Sequence, residues 1–324
     1  MRSRFAIILT VAIAVAVAHA GDKKKKDDPG QIGNRDVGRG INFYSLEREM
    51  ALGKQLAQEV AREAKINSDP ILSEFVNRIG QNLARNSDAK VPFTFQVIEG
   101  EAPNAFALPG GYIFVYTGLL HIADEEDEFA GAVAHEIAHV AARHMTRQAT
   151  KGQIANIASI PLSVLLGGWG GYAARQAAGV AVPMTFLKFS RGDESEADYL
   201  GVQYMYAAGY DPNGAVTIFE KLQALQRTNP GLAARLFSTH PMDADRIDKT
   251  QKEIQRILPS KPEYVITTSE YHDVRARLMA SENRRKSDEN DGRPRLRVAP
   301  GAGKPGQQDD QDERPTIKRR DLME

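Results

Sequence analysis

The segment AHEIAHVAARH, residues 134–144, constrains this chain more than any other feature, because it places the pattern H-E-x-x-H in a hydrophobic stretch. If the stretch is helical, His135 and His139 lie on one face and can bind a single metal ion through their imidazoles. Glu136 then lies about 100° round the helix, where a general base for a metal-bound water has to be. The alternative interpretation is an amphipathic helix whose two histidines have no shared role.

A catalytic zinc site also needs a third protein ligand and an open position for water. The chain contains no cysteine, so the third ligand must be a histidine or a carboxylate. The segment RGDESEADYLG, residues 191–201, places Glu194 and Asp198 on one helical face, whereas Glu196 points away. We therefore predict Glu194 as the third ligand and Asp198 as the group that holds a ligating histidine by its free N–H. The alternative is an acidic helix start that only complements the helix dipole.

Two more residues, His240 and Arg246, are candidates for the same site. His240 lies in the loop STHP, residues 238–241, and a loop histidine can reach a site that a helical one cannot. It is predicted to hydrogen-bond the oxyanion of a tetrahedral intermediate or to cap the zinc in a resting state, and Arg246 could do similar work. The alternatives are an ordinary loop histidine and a surface arginine. His144 lies five residues after His139, off the ligand face of a continuous helix, and is predicted to be structural.

The composition is that of an ordinary globular chain. Of 324 residues, 42% are hydrophobic and 26% are charged. Lys+Arg and Asp+Glu both total 42, so net charge predicts no binding to nucleic acid. The absence of cysteine also excludes disulfides, thiolate zinc sites and cysteine nucleophiles.

Residues 1–20 have the three parts of a signal peptide. Arg2 and Arg4 form a positive region, Phe5–Ala18 is continuously apolar, and Ala18-His19-Ala20 is a small-x-small cleavage site. This pattern predicts export from the cytoplasm. The alternative is an uncleaved N-terminal anchor.

The rest of the chain divides into a linker, a domain and a tail. Residues 21–40 are charged and glycine-rich and predict a flexible linker; residues 41–280 predict the folded domain; residues 281–324, rich in charge, proline and glycine, predict a disordered tail. Hydrophobic periodicity predicts helices over 45–64, 69–84, 124–147, 190–209, 212–226 and 243–257, a strand over 93–98, and two strands joined by a Pro-Gly-Gly turn within 104–120.

The segment Gly152–Ala174 has no charged residue over a length that could span a membrane. It also contains a proline, polar residues and several glycines. We therefore favour an apolar loop or lid beside a cleft. The alternative is a membrane-inserted hairpin that would give the protein a peripheral membrane contact.

Four segments together resemble metallopeptidase family forty-eight. They are NAFALPGGYIFVYTGLL, AHEIAHVAARH, SRGDESEADYLG and STHPMDADRI, and the resemblance covers roughly Tyr44 to Ile257. That family includes HtpX, the type-one CAAX prenyl protease and periplasmic beta-barrel-assembly-enhancing proteases. The resemblance implies an α+β, mostly α gluzincin fold, with a small edge-exposed β-sheet and one zinc ion.

The resemblance also assigns roles. His135 and His139 match the zinc ligands of the family, Glu136 matches its catalytic base and Glu194 matches its third ligand. Asp198 matches an aspartate that is a proton donor or orients a ligand, and we favour the orienting role. The loop histidine near the metal in periplasmic relatives matches His240. Membrane-spanning members have several transmembrane helices, whereas this chain has no candidate beyond the signal-like residues and Gly152–Ala174, so prenyl-protein processing is not expected.

The motifs and the signal-like segment predict an exported zinc endopeptidase. The family resemblance implies that it acts in the periplasm of a Gram-negative-type bacterium, on unfolded or misassembled envelope proteins. Polypeptide substrates are expected to bind as an added strand near Asn104–Thr117, where the alternative is an ordinary edge hairpin. The rival from another class is a periplasmic chaperone or assembly factor that binds extended segments and rarely cuts. A third possibility is a membrane-associated protease that uses Gly152–Ala174. The sequence makes no prediction of oligomeric state.

Overall fold

The computed structural model describes residues 27–158, 189–231, 240 and 244–290. The predicted signal peptide, most of the Gly152–Ala174 segment and the tail beyond residue 290 lie outside the described residues. In chain order the elements are α1 Leu46–Glu63, α2 Pro70–Arg85, β1 Thr94–Ile98, β2 Ala105–Leu108, β3 Tyr112–Tyr116, α3 Thr117–Ile122, α4 Glu126–Ala141, α5 His144–Ala158, α6 Arg191–Ala208, α7 Asn213–Thr228, α8 Ala244–Ile257 and α9 Ser269–Asn290. The predicted fold class, mostly α with a small sheet, is confirmed.

Several predicted helices begin at the polar residues that cap them. Ser45 accepts a hydrogen bond from the backbone of Arg48 at the start of α1, and Asp69 accepts one from Ile71 at the start of α2. At α6, Ser190 and Asp193 form a reciprocal capping box. These caps satisfy backbone N–H groups that have no partner inside the helix, which is why the predicted starts agree with the observed ones.

The sheet has three strands in the order β1-β3-β2, with β3 in the centre. Strand β1 runs parallel to β3, and β2 runs antiparallel to it through a turn in which Gly110 and Gly111 have φ of 74° and 92°. Glycine adopts this conformation at low cost, as the Pro-Gly-Gly pattern indicated. Strand β2 pairs with β3 alone among the described strands, so it is an edge strand, as predicted.

Helix α4 is the centre of the fold. All of its residues are buried except Ala132 and Val140, which are partly buried, and it packs against α2, α6, α7 and β2. A helix enclosed on all sides needs small residues where its neighbours approach closely. Gly131 meets this need, because a Cβ there would lie 2.7 Å from the Cα of Ala215 on α7. The H-E-x-x-H segment is therefore part of the core.

The prediction of one helix over residues 124–147 is wrong. Helix α4 ends at Ala141, α5 begins at His144, and Arg143 between them has φ of 56°, in the left-handed region. The Arg143 guanidinium is held by the carboxylate of Glu49 on α1, with Nη2 2.7 Å from Oε1, and by the backbone carbonyl of Tyr44. These long-range contacts stabilise a break that local helix propensity does not predict.

The predicted linker contains buried residues, and the last described helix crosses the predicted start of the tail. The expectation of a flexible linker over residues 21–40 does not hold for Arg35 and Val37, which are buried; Arg35 forms an ion pair with Asp88. At the other end, α9 continues to Asn290, beyond the boundary predicted at residue 280. The aromatic ring of Tyr271 anchors this helix, because it is fully buried against Phe75 and Phe129.

Among the described helices, none combines the length and apolarity needed to cross a bilayer.

Candidate metal centre

Four buried side chains converge at the middle of the fold. His135 and His139 come from α4, Glu194 comes from the first turn of α6, and His240 follows α7 in the chain. One potential ligand atom from each lies within 4.8 Å of the others. Their positions follow from the two packed helices, because Gly201 on α6 lets its backbone approach the backbone of His135 closely.

The spacing of these atoms matches that of ligands on one ion. Nε2 of His135 lies 3.0 Å from Nε2 of His139 and 3.4 Å from Oε2 of Glu194. Nδ1 of His240 lies 3.4 Å from the same His135 nitrogen and 3.0 Å from Oε1 of Glu194. A tetrahedral ion with bonds of about 2.0–2.1 Å holds its ligand atoms about 3.4 Å apart. The donor set therefore fits a divalent metal ion.

Protonation alone satisfies this cluster poorly. Burial lowers the pKa of His135, but hydrogen bonds and charges from Asp198 and Glu194 outweigh it and raise that pKa to about 10. Burial lowers the pKa of His139 well below its usual value, and the neighbouring charge of His135 adds to this. Two ring nitrogens 3.0 Å apart must share one proton or one metal ion. Opposite pKa shifts on adjacent histidines are the result expected of two rings that share one cationic position.

Asp198 and Arg246 brace one side of the cluster. Oδ1 of Asp198 lies 3.0 Å from Nδ1 of His135, the ring nitrogen that faces away from the other ligand atoms. Arg246 on α8 binds Asp198 through two nitrogens, at 2.8 and 2.7 Å, and its third nitrogen lies 2.8 Å from Oε2 of Glu194. Arg246 is therefore engaged by two carboxylates in this structure. The sequence carried a signal for this, since two buried carboxylates require a nearby cation.

The charges of this group set the pKa values of its acids. Burial raises the pKa of Glu194, but the charge of His240 and hydrogen bonds from His135, His139 and His240 outweigh burial and bring it well below its usual value. Burial likewise raises the pKa of Asp198, and the hydrogen bond to His135 and the charge of Arg246 outweigh it. Both carboxylates are therefore held ionised, as metal binding requires.

Glu136 lies beside the cluster and faces the edge strand. Its Oε1 is 3.4 Å from Nε2 of His240. Burial raises the pKa of Glu136, and the charges of His240 and His135, together with a hydrogen bond from the backbone of Ala107 on β2, oppose this increase. A carboxylate with a raised pKa next to a metal group is suited to exchanging protons with a reacting water.

His144 has a more specific position than predicted. Its Nδ1 lies 3.0 Å from Nδ1 of His139, because the break at Arg143 turns α5 back toward the ligand. Its Nε2 lies 3.2 Å from Oε2 of Glu196, the carboxylate that points away from the metal group as predicted. On a continuous helix His144 would lie about 140° from His139. The sequence interpretation missed this contact because it assumed that the helix was unbroken.

Cavities open on both sides of the cluster along β2. One is lined by Asn104 and Ala105 at the start of β2 together with His135, Glu136, His240 and apolar side chains of α7. The other is lined by the end of β2 and its turn together with His139 and Phe189, whose ring stacks on His139. This second cavity shares Pro109, Met145 and Thr146 with a groove of about 450 Å³ between α1 and α5. The cluster therefore lies between two small cavities that border β2.

Comparison with known proteins agrees with this site. The profile of Peptidase family M48 matches residues 70–254. The beta-barrel assembly-enhancing protease of Yersinia pestis is 26% identical over 300 residues, which cover 90% of this chain and 60% of that protein. The corresponding protease of Escherichia coli is 27% identical over 249 residues, 74% of this chain and 50% of that protein. The mitochondrial metalloendopeptidase OMA1 of Schizosaccharomyces pombe is 32% identical over 248 residues, 75% of this chain and 70% of that protein.

The chain thus spans about half to three-fifths of the length of the bacterial relatives it matches. The family profile covers more than half of the chain and includes α4, α6 and His240, which supply the buried group. The chain therefore belongs to peptidase family M48.

Proposed function

We propose that this protein is a zinc-dependent endopeptidase that cleaves unfolded or misassembled envelope proteins. The observation that carries the proposal is the buried convergence of His135, His139 and Glu194 with Glu136 beside them, next to cavities that border an edge strand. Imidazole nitrogens with one carboxylate, and no thiolate in the chain, form a donor set that suits catalytic zinc.

His135, His139 and Glu194 would hold the zinc, which when bound supplies Lewis-acid activation of water and of the peptide carbonyl. Glu136 accepts the proton of the attacking water and returns it to the leaving amine. Asp198 holds His135 in the tautomer that leaves Nε2 free for the metal, and Arg246 keeps Asp198 ionised and in place. We therefore assign Asp198 an orienting role and not that of a proton donor.

His240 gives the site a resting state. Its Nδ1 lies among the ligand atoms, 3.0 Å from Oε1 of Glu194, and its Nε2 faces Glu136. A catalytic site needs an open coordination position for water, and with zinc bound His240 would compete with water for that position. Of the two predicted roles, this geometry favours capping of the metal, so we propose that His240 must withdraw before cleavage.

Substrate binding by strand addition is supported by the arrangement of β2. This strand has a cavity at each end, and the metal group lies between the two cavities. An extended polypeptide paired with β2 would place alternate side chains toward the cleft and its backbone across the metal group. Such pairing reads the backbone more than the side chains, which favours substrates that expose unfolded segments. The bacterial relatives are named for beta-barrel assembly enhancement, and this name and the signal-like residues 1–20 both support a location in the periplasm.

The test is cleavage of casein by the purified protein, with Glu136→Gln and His240→Ala as variants. Cleavage by the wild type that Glu136→Gln abolishes would support the peptidase. Cleavage by His240→Ala alone would support a peptidase that is latent at rest. If none of the three proteins cuts although zinc is bound, the rival function, a chaperone or assembly factor that binds extended segments in the same cleft, is favoured.

A further inference from the structure

A second chain of polar groups runs outward from the metal ligand His139, from the buried interior to the partly exposed surface. It consists of His144 at the start of α5, Glu196 on α6 and Arg147 on α5. Nδ1 of His139 lies 3.0 Å from Nδ1 of His144, Nε2 of His144 lies 3.2 Å from Oε2 of Glu196, and Nη1 of Arg147 lies 3.3 Å from the same oxygen. The side chain of His144 has no exposed surface. None of these outer three groups has a role in the proposed reaction.

The positions of the protons along this chain follow from its two ends. If Nε2 of His139 binds the metal, the ring must carry its proton on Nδ1 and donate it to Nδ1 of His144. His144 then carries its own proton on Nε2 and donates it to the carboxylate of Glu196. Glu196 only accepts, and Arg147 only donates to it. One assignment satisfies every contact, and it leaves the His139 lone pair directed at the metal.

We propose that His144 is a positioning residue that fixes the tautomer and ring orientation of the ligand His139 and connects it to the carboxylate of Glu196. The proposal rests on the metal site of the proposed function. The two ligand histidines would then be oriented by different devices. His135 is held directly by Asp198, whereas His139 is held by a carboxylate acting through a second histidine.

The break between α4 and α5 is what makes this contact. Arg143 in the left-handed conformation redirects the chain, and Glu49 on α1 holds the arginine side chain, with Nε 2.8 Å from Oε1. The hydroxyl of Thr146 donates a hydrogen bond to the same carboxylate. A residue in the left-handed region that is not glycine is uncommon and must be stabilised by its surroundings. Here the stabilised conformation places an imidazole against the free nitrogen of a ligand.

A purely structural His144 makes a different prediction. In that case the ring fills space and satisfies local polar groups, and any substitution that preserves folding leaves the metal site unaffected. The positioning role depends instead on an acceptor atom at the place of Nδ1. Asparagine supplies one, because its Oδ1 can take the place of Nδ1, whereas leucine fills similar space and has no acceptor.

The experiment is to measure zinc affinity by chelator competition in four variants of the full chain: His144→Asn, His144→Leu, Glu196→Gln and, as a matched control, His272→Leu at an exposed histidine of α9. We expect His144→Leu to lose about 10- to 100-fold in zinc affinity, as is usual when the partner of a ligand is removed. His144→Asn should retain affinity within about threefold, and Glu196→Gln should lose about three- to tenfold. The control should equal the wild type. If His144→Leu does not fold, the comparison of His144→Asn with Glu196→Gln carries the test.

Equal zinc affinity in the wild type and every variant would overturn the proposal, and so would an equal loss in His144→Leu and His144→Asn, since packing alone would explain it. Failure of the wild type itself to bind zinc would overturn the metal site and this proposal with it. A graded loss, with rescue by asparagine, would support the positioning role even if no peptidase activity is found.

Discussion

Helix α6 carries two buried polar clusters that differ in their balance of donors and acceptors. Near its middle, Gln203 and Tyr204 join the ion pair of Arg35 and Asp88. Asp88 accepts hydrogen bonds from the Arg35 side chain, the hydroxyl of Tyr204 and the backbone N–H groups of Arg35 and Gly33. Both oxygens of the Asp88 carboxylate therefore have donors. This cluster attaches the segment before α1 to the rest of the domain, and its hydrogen bonds are satisfied without a metal ion.

Near the start of α6, Glu194 belongs to a cluster with an excess of acceptors. Its carboxylate and three imidazoles converge, and Arg246 supplies a cation on one side only. The balance of donors and acceptors distinguishes a structural polar cluster from a binding site. A buried polar cluster whose donors and acceptors are matched stabilises the fold. A buried cluster in which acceptors outnumber the available protons can bind a cation.

The largest expected effect is on the matched cluster. Asp88→Ala leaves the Arg35 guanidinium buried without its carboxylate, since both side chains are almost fully buried, so we expect a loss of about 3–5 kcal/mol in the free energy of unfolding. Urea denaturation measures it. Asp88→Asn keeps an acceptor and should lose less. A loss below about 1 kcal/mol would show that the cluster is not the structural element described here.

Metal removal should affect only the other cluster. At free zinc of about 100 times the dissociation constant, binding stabilises the folded protein by about 2.7 kcal/mol, and a chelator should remove this increment. Thermal unfolding with and without chelator measures it. In Glu194→Gln we expect the zinc-dependent increment to be largely lost, because a ligand oxygen and its charge are removed. Asp88→Asn should keep it in full. An equal increment in Glu194→Gln and wild type would contradict the assignment of Glu194.

A third acidic group, Asp127 on α4, differs from Glu194 and Asp198 because its pKa is raised. Burial raises its pKa from 3.8 to about 7, and the charges of Asp211, Glu128 and Glu125 contribute to this increase. The folded state therefore holds a proton that the unfolded state releases, and the free energy of unfolding should fall as the pH rises from about 4 to about 7. Asp127→Asn should lack this decrease and gain about 1 kcal/mol over wild type between pH 5 and pH 8, after allowance for solvent screening.

Urea denaturation across this pH range measures the effect of Asp127. As a control, Asp211→Asn should weaken the pH dependence without abolishing it, because one of the charges that acts on Asp127 is removed. Identical pH profiles for the wild type and Asp127→Asn would contradict the raised pKa.

The smallest effect is expected at an ion pair on the surface. Nη1 of Arg256 lies 2.7 Å from Oδ2 of Asp27, but the Arg256 side chain is 52% exposed. Solvent screening and side-chain entropy leave such pairs worth about 0.5 kcal/mol, so Arg256→Ala should change the free energy of unfolding by no more than that, and less at high salt. Asp88→Ala is the buried counterpart measured in the same way. A loss similar to that of Asp88→Ala would mean that burial does not distinguish the two pairs.

Features that depend on local spacing can be predicted from the sequence alone. These features are the helix caps at Ser45, Asp69 and Ser190, the glycine turn between β2 and β3, and the four-residue spacings of the site residues on α4 and α6. Such features depend on backbone geometry that repeats in every helix or turn. The candidate ligands are therefore predictable from residue spacing alone.

The end of the helix that carries the motif, and the groups that surround the ligands, depend on tertiary contacts between distant residues. The break at Arg143 depends on Glu49, 94 residues earlier in the chain, and the contact between His144 and His139 depends on that break. The burial of Arg35 depends on Asp88 and on α6. A charged, glycine-containing segment is predicted to be solvated, because its partners lie far away along the chain. Local sequence patterns are sufficient to predict the candidate metal ligands on α4 and α6. The contact that orients His139 depends on long-range packing, which places residues from distant parts of the chain together.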